Sequence, residues 1–594
     1  LVAHELLDLP VRCSLSPRTS PSHHKLRLLL QKICWSSRDP MMIGRGVHAS
    51  CQPRVIVLGG GVAGLRCAQQ LVRKHGFATD QLVLLEASTR IGGRINTHKS
   101  FIEGFSLDVG AELIHGDQTS LYRLAKEKGW DMEEIISLAQ GDGGPLPADS
   151  NNGWGFFYVG GEQRMLAMDS KDPAFVHLND YLGSLADLWP AMKLQEAKAT
   201  LKLEQENDSS VTSATESSSS SSSDESTVAA AATTTAESIA PQQLQRSLSM
   251  RDGLESAGVG QSMMGIADAG YANTAGAALE DMSLASTCYL EHVWDVDGDR
   301  TFTLKGSLGL VVDELSAGLE SCIRTSWPVA SVDYDKSGIE GVTVTCRDGR
   351  IERGSHVVSA LPLSVLQDGD VNFTPPLPEA KVTAFGRMKM CSAVKVILKF
   401  DRPVFPPLLH GCICSESFIP EFWFRRHIPG LPEGGYTMLA VGFAAGPSAD
   451  AVSALKPEEA LERALGQLDD MCRGRKWLEG GGCTGKGDWE EAAVKRNAGP
   501  QDDEADSGID IEGRKCEGTE AEPPSSAYVG GLVHDWVKDE PFVRGGYCCP
   551  RAGFDDTTHA EAAASVNGVL FFAGEHTNTP TGMTVHAAID SGDR

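Results

Sequence analysis

The run Gly59-Gly60-Gly61-Val62-Ala63-Gly64 has the residue types and the spacing to hold a pyrophosphate. It fits G-x-G-x-x-G directly after an apolar run at 54–58, and it opens a stretch, 62–74, whose apolar residues recur at helical spacing. In such a strand–turn–helix, Gly59 permits the tight turn, Gly61 lets the backbone approach the ligand, and Gly64 lets helix and strand pack closely. Val62 and Ala63 then open the helix at the end whose free N–H groups and dipole favour an anion. A second apolar run, 81–86, closes on Glu86, 22 residues after Gly64, where a carboxylate can accept hydrogen bonds from ribose hydroxyls. Residues 54–86 therefore read as a βαβ dinucleotide-binding unit, and the acid favours FAD or NAD over NADP.

A different chemistry is open to Lys395. In SAVKVILKF, residues 392–400, Val394, Val396, Leu398 and Phe400 share one strand face while Lys395 and Lys399 share the other. By alternation alone that second face is solvated and both lysines are ordinary surface groups.

The whole chain must supply elements to position these groups. At 594 residues it exceeds one ordinary core, so two or more domains are expected. Short β-branched apolar runs and 63 glycines suit an α/β protein, and no run approaches the roughly 18–20 apolar residues of a membrane span. The net charge of −27 argues against a nucleic-acid partner. Much of that charge is local: 202–225 carries six acids and one base, and 502–522 nine acids and two bases. A cationic substrate is compatible with this, but solvated acidic loops explain it more simply. The 15 cysteines include no C-x-x-C, which points to a reducing, intracellular setting (cytoplasm or an organelle) with free thiols and no metal. Residues 1–53, rich in Ser and Arg, read as a transit-like extension or a wrongly joined upstream exon and are set aside from the fold.

Helices are expected at 120–129, closed by Gly129, and at 457–472; strands at 330–334, 341–346, 355–361 (stopped by Pro362) and 392–400. The serine-rich stretch 195–244 and the acidic stretch 484–526 cannot bury enough apolar surface to fold and are expected to be disordered. With nucleotide-type elements at both ends, 54–116, 300–365 and 556–594 are assigned to one discontinuous domain. Residues 117–299 and 366–555 form a second.

After Glu86 the sequence continues Ala87-Ser88-Thr89-Arg90-Ile91-Gly92-Gly93-Arg94, and this run resembles the second FAD fingerprint of the flavin-containing amine oxidase superfamily. Further stretches resemble that family in order: LDVGAELIHGD (107–117), PVASV (328–332), SALPLSVL (359–366), KVILKFDRPVF (395–405), DWVKDEPFVRGGY (535–547), FFAGEHT (571–577) and TVHAAIDSG (584–592). The resemblance implies a discontinuous FAD-binding Rossmann-like domain with a mixed-sheet α+β substrate domain. It implies FAD held by Arg90, Gly93 and Arg94 along the pyrophosphate, by Gly110, Ala111 and Glu112 near the flavin ring, and by Val329 at the adenine. Trp536, Gly574, Glu575, Thr584 and Val585 complete the set; Glu575 would meet a ribityl hydroxyl, and the helix opening at Thr584 would point its positive end at the flavin.

The same resemblance makes Lys395 the residue that holds a water beside flavin N5, and puts His115 where polyamine oxidases carry a histidine near the amine. Asp117 is a weaker candidate. Thr581 stands where the family often has an aromatic wall, and Ala587 replaces a common glycine. Tyr547 stands where monoamine oxidases carry a flavin-linking cysteine, with Cys548 one place off, so non-covalent FAD is expected. The implied partners are a small amine and O2, and the implied reaction is oxidation of a C–N bond of a polyamine-like substrate to give aldehyde and H2O2. An L-amino acid oxidase, or a demethylase-like chromatin flavoprotein, is the alternative. A basic residue facing a substrate carboxylate would favour the amino acid oxidase, and none is identifiable from the sequence. The sequence does not fix an oligomeric state.

Overall fold

The computed structural model describes residues 54–135, 154–168, 170–194, 248–294, 298, 300–335, 341–406, 409–425, 437–478, 483–484, 518–551, 553–578 and 582–594. The extension 1–53, the serine-rich stretch, most of the acidic stretch and Thr581 lie outside them. Pro53–Asp593 forms one compact unit.

The glycine-rich turn belongs to a five-stranded parallel sheet. Val55–Leu58 lies at its centre between Leu82–Leu85 and His356–Ser359, while Ile323–Arg324 and Leu570–Phe572 form the two edges. The central strands read VIVL and LVLL and are buried at every position. Uninterrupted apolar runs of this kind suit a parallel sheet covered on both faces. Ile56, Leu58, Val83 and Leu85 enter one core and Val55, Val57, Leu82 and Leu84 another. Helix Val62–Arg73 covers the second face, and helix Val585–Asp593 packs along it. Arg66 Nε and Asp593 Oδ1, 2.6 Å apart, tie the two helices together.

A seven-stranded mixed sheet supplies the second layer. Its order is Tyr528–Asp535, Ala393–Phe400, Met438–Ala445, Glu421–Arg425, Leu409–Ser415, Trp154–Val159 and Arg164–Ala167, with one parallel pair, Leu409–Ser415 beside Trp154–Val159. Val394, Val396, Leu398, Phe400, Phe422 and Phe424 lie in the core that also takes in Ala460, Ala464 and Leu468 of helix Pro457–Cys472. The opposite face is also covered: Ile397, Leu439 and Val441 pack on Ile102, Phe105, Leu107 and Val109, around the hairpin of Thr97–Ile102 and Phe105–Asp108. The solvated face that alternation predicts for Lys395 and Lys399 therefore does not exist. Lys395 is 7% exposed, and Lys399 donates from Nζ to Phe101 O at 3.3 Å.

Helix Ser120–Lys128 ends at Gly129 in the left-handed conformation, φ 66°, as the sequence predicts. Gly518–Glu520, inside the stretch expected to be disordered, is a strand paired with Lys476–Leu478.

Phe422 is fully buried and sits between Glu421 and Trp423. Phe422→Ala is expected to destabilise the protein by about 3–5 kcal/mol through lost burial and the cavity left behind. Urea unfolding with unchanged slope would show this, and a loss below about 1 kcal/mol would mean that this core is not packed as described.

Candidate active site

One cavity of about 970 Å³ is bordered by every proposed cofactor residue except Gly64, and also by Lys395 and His115. Gly64 lies behind the wall, where a Cβ would stand 2.0 Å from Gly59 O. Its glycine is a packing requirement of the turn, as the motif argument holds.

The Glu86 carboxylate accepts from Gly60 N at 2.6 Å and from Ser88 N at 2.8 Å. These two bonds lock the acid against the glycine turn, and its remaining lone pairs are available to ribose hydroxyls. Gly110 packs so closely that a Cβ would meet Arg94 O at 2.1 Å and the Trp536 ring at 2.7 Å. Trp536 Nε1 donates to Val109 O at 3.0 Å, which fixes the ring beside this backbone. Arg94 Nη1 lies 2.7 Å from Glu575 Oε1. Burial pushes the Glu575 carboxyl up, but Arg94, His576 and the Cys548 thiol outweigh it and bring it down to about 2. Arg90 donates to Gly93 O at 2.8 Å and pairs with Glu540 at 2.6 Å. The Thr584 hydroxyl accepts from Ala587 N at 3.1 Å and caps helix Val585–Asp593.

The large sheet forms the other wall. Register places Lys395 and Glu421 directly opposite Phe443 from its two sides, so the three share one row and one face. Lys395 Nζ donates to Glu112 Oε2 at 2.7 Å and to Asp108 O at 3.2 Å. The other oxygen of Glu112 takes Arg425 Nε at 2.7 Å. Burial alone would raise the Glu112 pKa, but Arg425 and then Lys395 hold it below the usual carboxylate range. Asp108 behaves oppositely: burial and the Glu112 charge push it up to about 6, despite bonds from Ser307 Oγ and Leu308 N.

Glu421 is a cavity residue that sequence reasoning missed. It is 6% exposed and borders the cavity. Its partners are neutral: Trp423 Nε1 donates to one oxygen, and Asn273 Nδ2 lies 3.4 Å from the other. Desolvation dominates and raises its pKa to about 7. Asn273 follows a π-helical turn, Asp268–Ala272, and its own Oδ1 accepts from Ala445 N at 2.8 Å. A π-bulge is a recurrent way of redirecting a helix at a functional site. The signal for Glu421 lay in the alternation of EFWFR, where Phe422 and Phe424 point to the core and Glu421, Trp423 and Arg425 point away.

His115 borders the cavity at the end of strand Leu113–His115. Its ring has accessible surface, yet the protein around it and the nearby His586 push its pKa down to about 4. It is therefore a neutral imidazole, able to accept a hydrogen bond. Asp117 is drawn to the surface pair with Arg300, 3.7 Å away, and does not border the cavity. Tyr547 borders it and donates to Thr274 O at 2.6 Å. Cys548 turns to Glu575 Oε2 at 2.6 Å, and no cysteine borders the cavity among the described residues.

The profile of a family described as flavin containing amine oxidoreductase matches residues 62–594. The chain belongs to that family. Human lysine-specific histone demethylase 2 is 24% identical over 91% of this chain, which spans only 52% of that protein. The bovine peroxisomal N(1)-acetyl-spermine/spermidine oxidase is 25% identical over 75% of this chain and 83% of its own length. A solved putrescine oxidase, bound to putrescine, superposes with a TM-score of 0.62 at 16% identity, covering 91% of this chain and 97% of that one, and so shares the fold. This amine oxidase is a flavin-dependent oxidoreductase and its cofactor is FAD. The cavity fits that group: it joins the Glu86 carboxylate, a glycine turn at a helix N-terminus and the Gly110–Glu112 backbone in one space. Among the described residues it presents no thiol for a covalent link.

Arg94→Met leaves Glu575 buried without its cation, a cost of about 3–5 kcal/mol. The purified variant is expected to carry little FAD, read as flavin absorbance per mole of protein. Full FAD content with unchanged Tm would show that the pair does not hold this wall.

Proposed function

We propose that this amine oxidase acts on an aliphatic diamine or polyamine. The observation that carries this reading is Glu421, a buried carboxylate on the cavity wall that has no ion-pair contact among the described residues and feels only the more distant Lys395 charge. A buried anion without a counter-charge is costly, and a substrate ammonium would supply that charge. Adjacent strands are spaced about 4.8 Å apart, so two strand steps separate Lys395 from Glu421 by about 10 Å of backbone. That leaves room for a short aliphatic spacer between the reacting carbon and a second ammonium. Trp423, Phe443 and Tyr547 border the same space and would contact the methylenes and the cation faces. They offer aromatic walls from other elements, where Thr581 lies outside the described residues.

FAD, when bound, would supply the two-electron acceptor for the C–N bond and pass the electrons to O2 as H2O2, so that the oxidised amine, once hydrolysed, would leave as an aldehyde with ammonia from a primary nitrogen or a shortened amine from a secondary one. In this reading Lys395, with two of its three N–H groups engaged by Glu112 and Asp108, keeps the third to hold a water. Neutral His115 accepts a hydrogen bond from the substrate N–H. Residues 54–116, 300–365 and 556–594 would hold FAD, and 117–299 with 366–555 would enclose the amine. The amino acid alternative needs a free basic residue; Arg425 is near, but Glu112 engages it.

Glu421→Gln is expected to raise KM for a four-carbon diamine by about tenfold or more, the worth of one charge-assisted contact, and to leave a monoamine of equal length little changed. Equal losses on both substrates would refute the second-ammonium role. In the free protein Glu421 ionises near pH 7, so kcat/KM for the diamine rises with pH through about 7, and this limb is absent in Glu421→Gln. Unfolded, the same group ionises near its ordinary 4.5. Between these values the folded state keeps a proton that the unfolded state has lost, so stability falls as pH rises. Glu421→Gln should therefore have the higher Tm at pH 8 and no advantage at pH 4.

Lys395→Met should retain FAD but lose anaerobic bleaching by spermine or spermidine. Unchanged bleaching would remove Lys395 from the chemistry.

A further inference from the structure

The strand Glu421–Arg425 presents acid, aromatic and base in turn to the cavity, and Arg425 is out of place there. A guanidinium on the wall repels ammonium substrates and is the group best shaped to receive a carboxylate. Its side chain is only 14% exposed, so its charge acts in a poorly solvated setting. Nε is held by Glu112 Oε1 at 2.7 Å, Nη2 donates to Thr303 Oγ1, and Nη1 makes no hydrogen bond among the described residues.

We propose that Glu112 is a specificity-determining residue that keeps carboxylated substrates out by occupying Arg425. One carboxylate is shared between two cations, Lys395 and Arg425, each at 2.7 Å. It neutralises the only arginine that the large sheet turns into the cavity from this strand, and it holds Lys395 in place with the same group. With Glu112 ionised, Lys395, Arg425 and Glu112 together carry one net positive charge, with the Asp108 carboxyl held behind them by Ser307 and Leu308 and with Glu421 four residues from Arg425 on the same strand face. Without that carboxylate the wall carries two unpaired cations, one of them a bidentate carboxylate receptor. The selectivity of this cavity for amines over amino acids is thus a property of one side chain on the Gly110–Glu112 segment, and the arginine beneath it is a latent amino acid subsite. This inference rests on the amine-oxidase reading of the cavity.

The test uses the FAD-loaded full chain and benzoate as probe, with perturbation of the visible flavin spectrum as the readout of binding. Glu112→Gln is expected to bind benzoate about tenfold or more tighter than the natural protein. Adding Arg425→Met is expected to abolish the gain, whereas adding Lys395→Met leaves it. No gain, or a gain lost with Lys395 and kept without Arg425, overturns the proposal. Glu112→Asp keeps the charge but is too short to meet both cations, and a smaller gain in the same direction is expected. If Glu112→Gln fails to hold FAD, absence of any gain in Glu112→Asp overturns the proposal. So does loss of FAD from both, which would make Glu112 a folding requirement rather than a specificity group. Anaerobic bleaching of the natural protein by spermidine separates the two failures: bleaching without benzoate gain sinks only the role of Glu112, and no bleaching sinks the amine reading itself.

Discussion

Arg94 and Glu575 stand 481 residues apart in sequence and 2.7 Å apart in space. A carboxylate buried as deeply as Glu575 is tolerable only beside its cation, so this contact obliges the late strand–turn–helix to close onto the early glycine-rich unit. Arg90 with Glu540 and Lys395 with Glu112 repeat the arrangement around the same space. Each pair joins segments distant in sequence, and each faces the cavity. The cavity is therefore bounded by charges that the chain can bury only when all its segments are in place.

The acids on that boundary share a side-chain chemistry and differ in behaviour. Glu575 is brought down to about 2 by Arg94, Asp108 just behind the wall is pushed up to about 6 by burial, and Glu421 reaches about 7 because its burial outweighs two neutral hydrogen-bond donors and the Lys395 charge. Environment sets the difference: an acid beside a cation stays ionised, and an acid beside an indole and an amide holds its proton to a higher pH.

Local pattern made the nucleotide unit legible. Gly59 to Glu86 announces itself because a turn, a helix start and a strand end are all nearest-neighbour features. Helix Pro457–Cys472 was legible for the same reason. Lys395 was misread by alternation, since a two-residue period tells which side chains share a face and not whether that face meets water or a hairpin such as Thr97–Asp108. The resemblance to a family corrected what periodicity could not. Glu421, Asn273 and Arg425 escaped because their meaning lies in register across strands and in a π-helical turn, neither of which the sequence displays locally. Yet EFWFR carried its alternation openly, and a reading alert to a polar face opposite two phenylalanines would have found it.

The parallel sheet also has a history written into its order. His356–Ser359 pairs with Val55–Leu58 on one side and with Leu570–Phe572 on the other. During synthesis the first partner is available early, while the second emerges from the ribosome only after the entire large sheet has been made. Until then a hydrophobic strand stands with an open hydrogen-bonding edge, the state in which multidomain chains aggregate or recruit chaperones. Glu575, the acid that closes the cofactor wall, arrives just behind that strand. The cavity is consequently closed only by the last segment to be made, and its walls stay incomplete until the chain is almost finished.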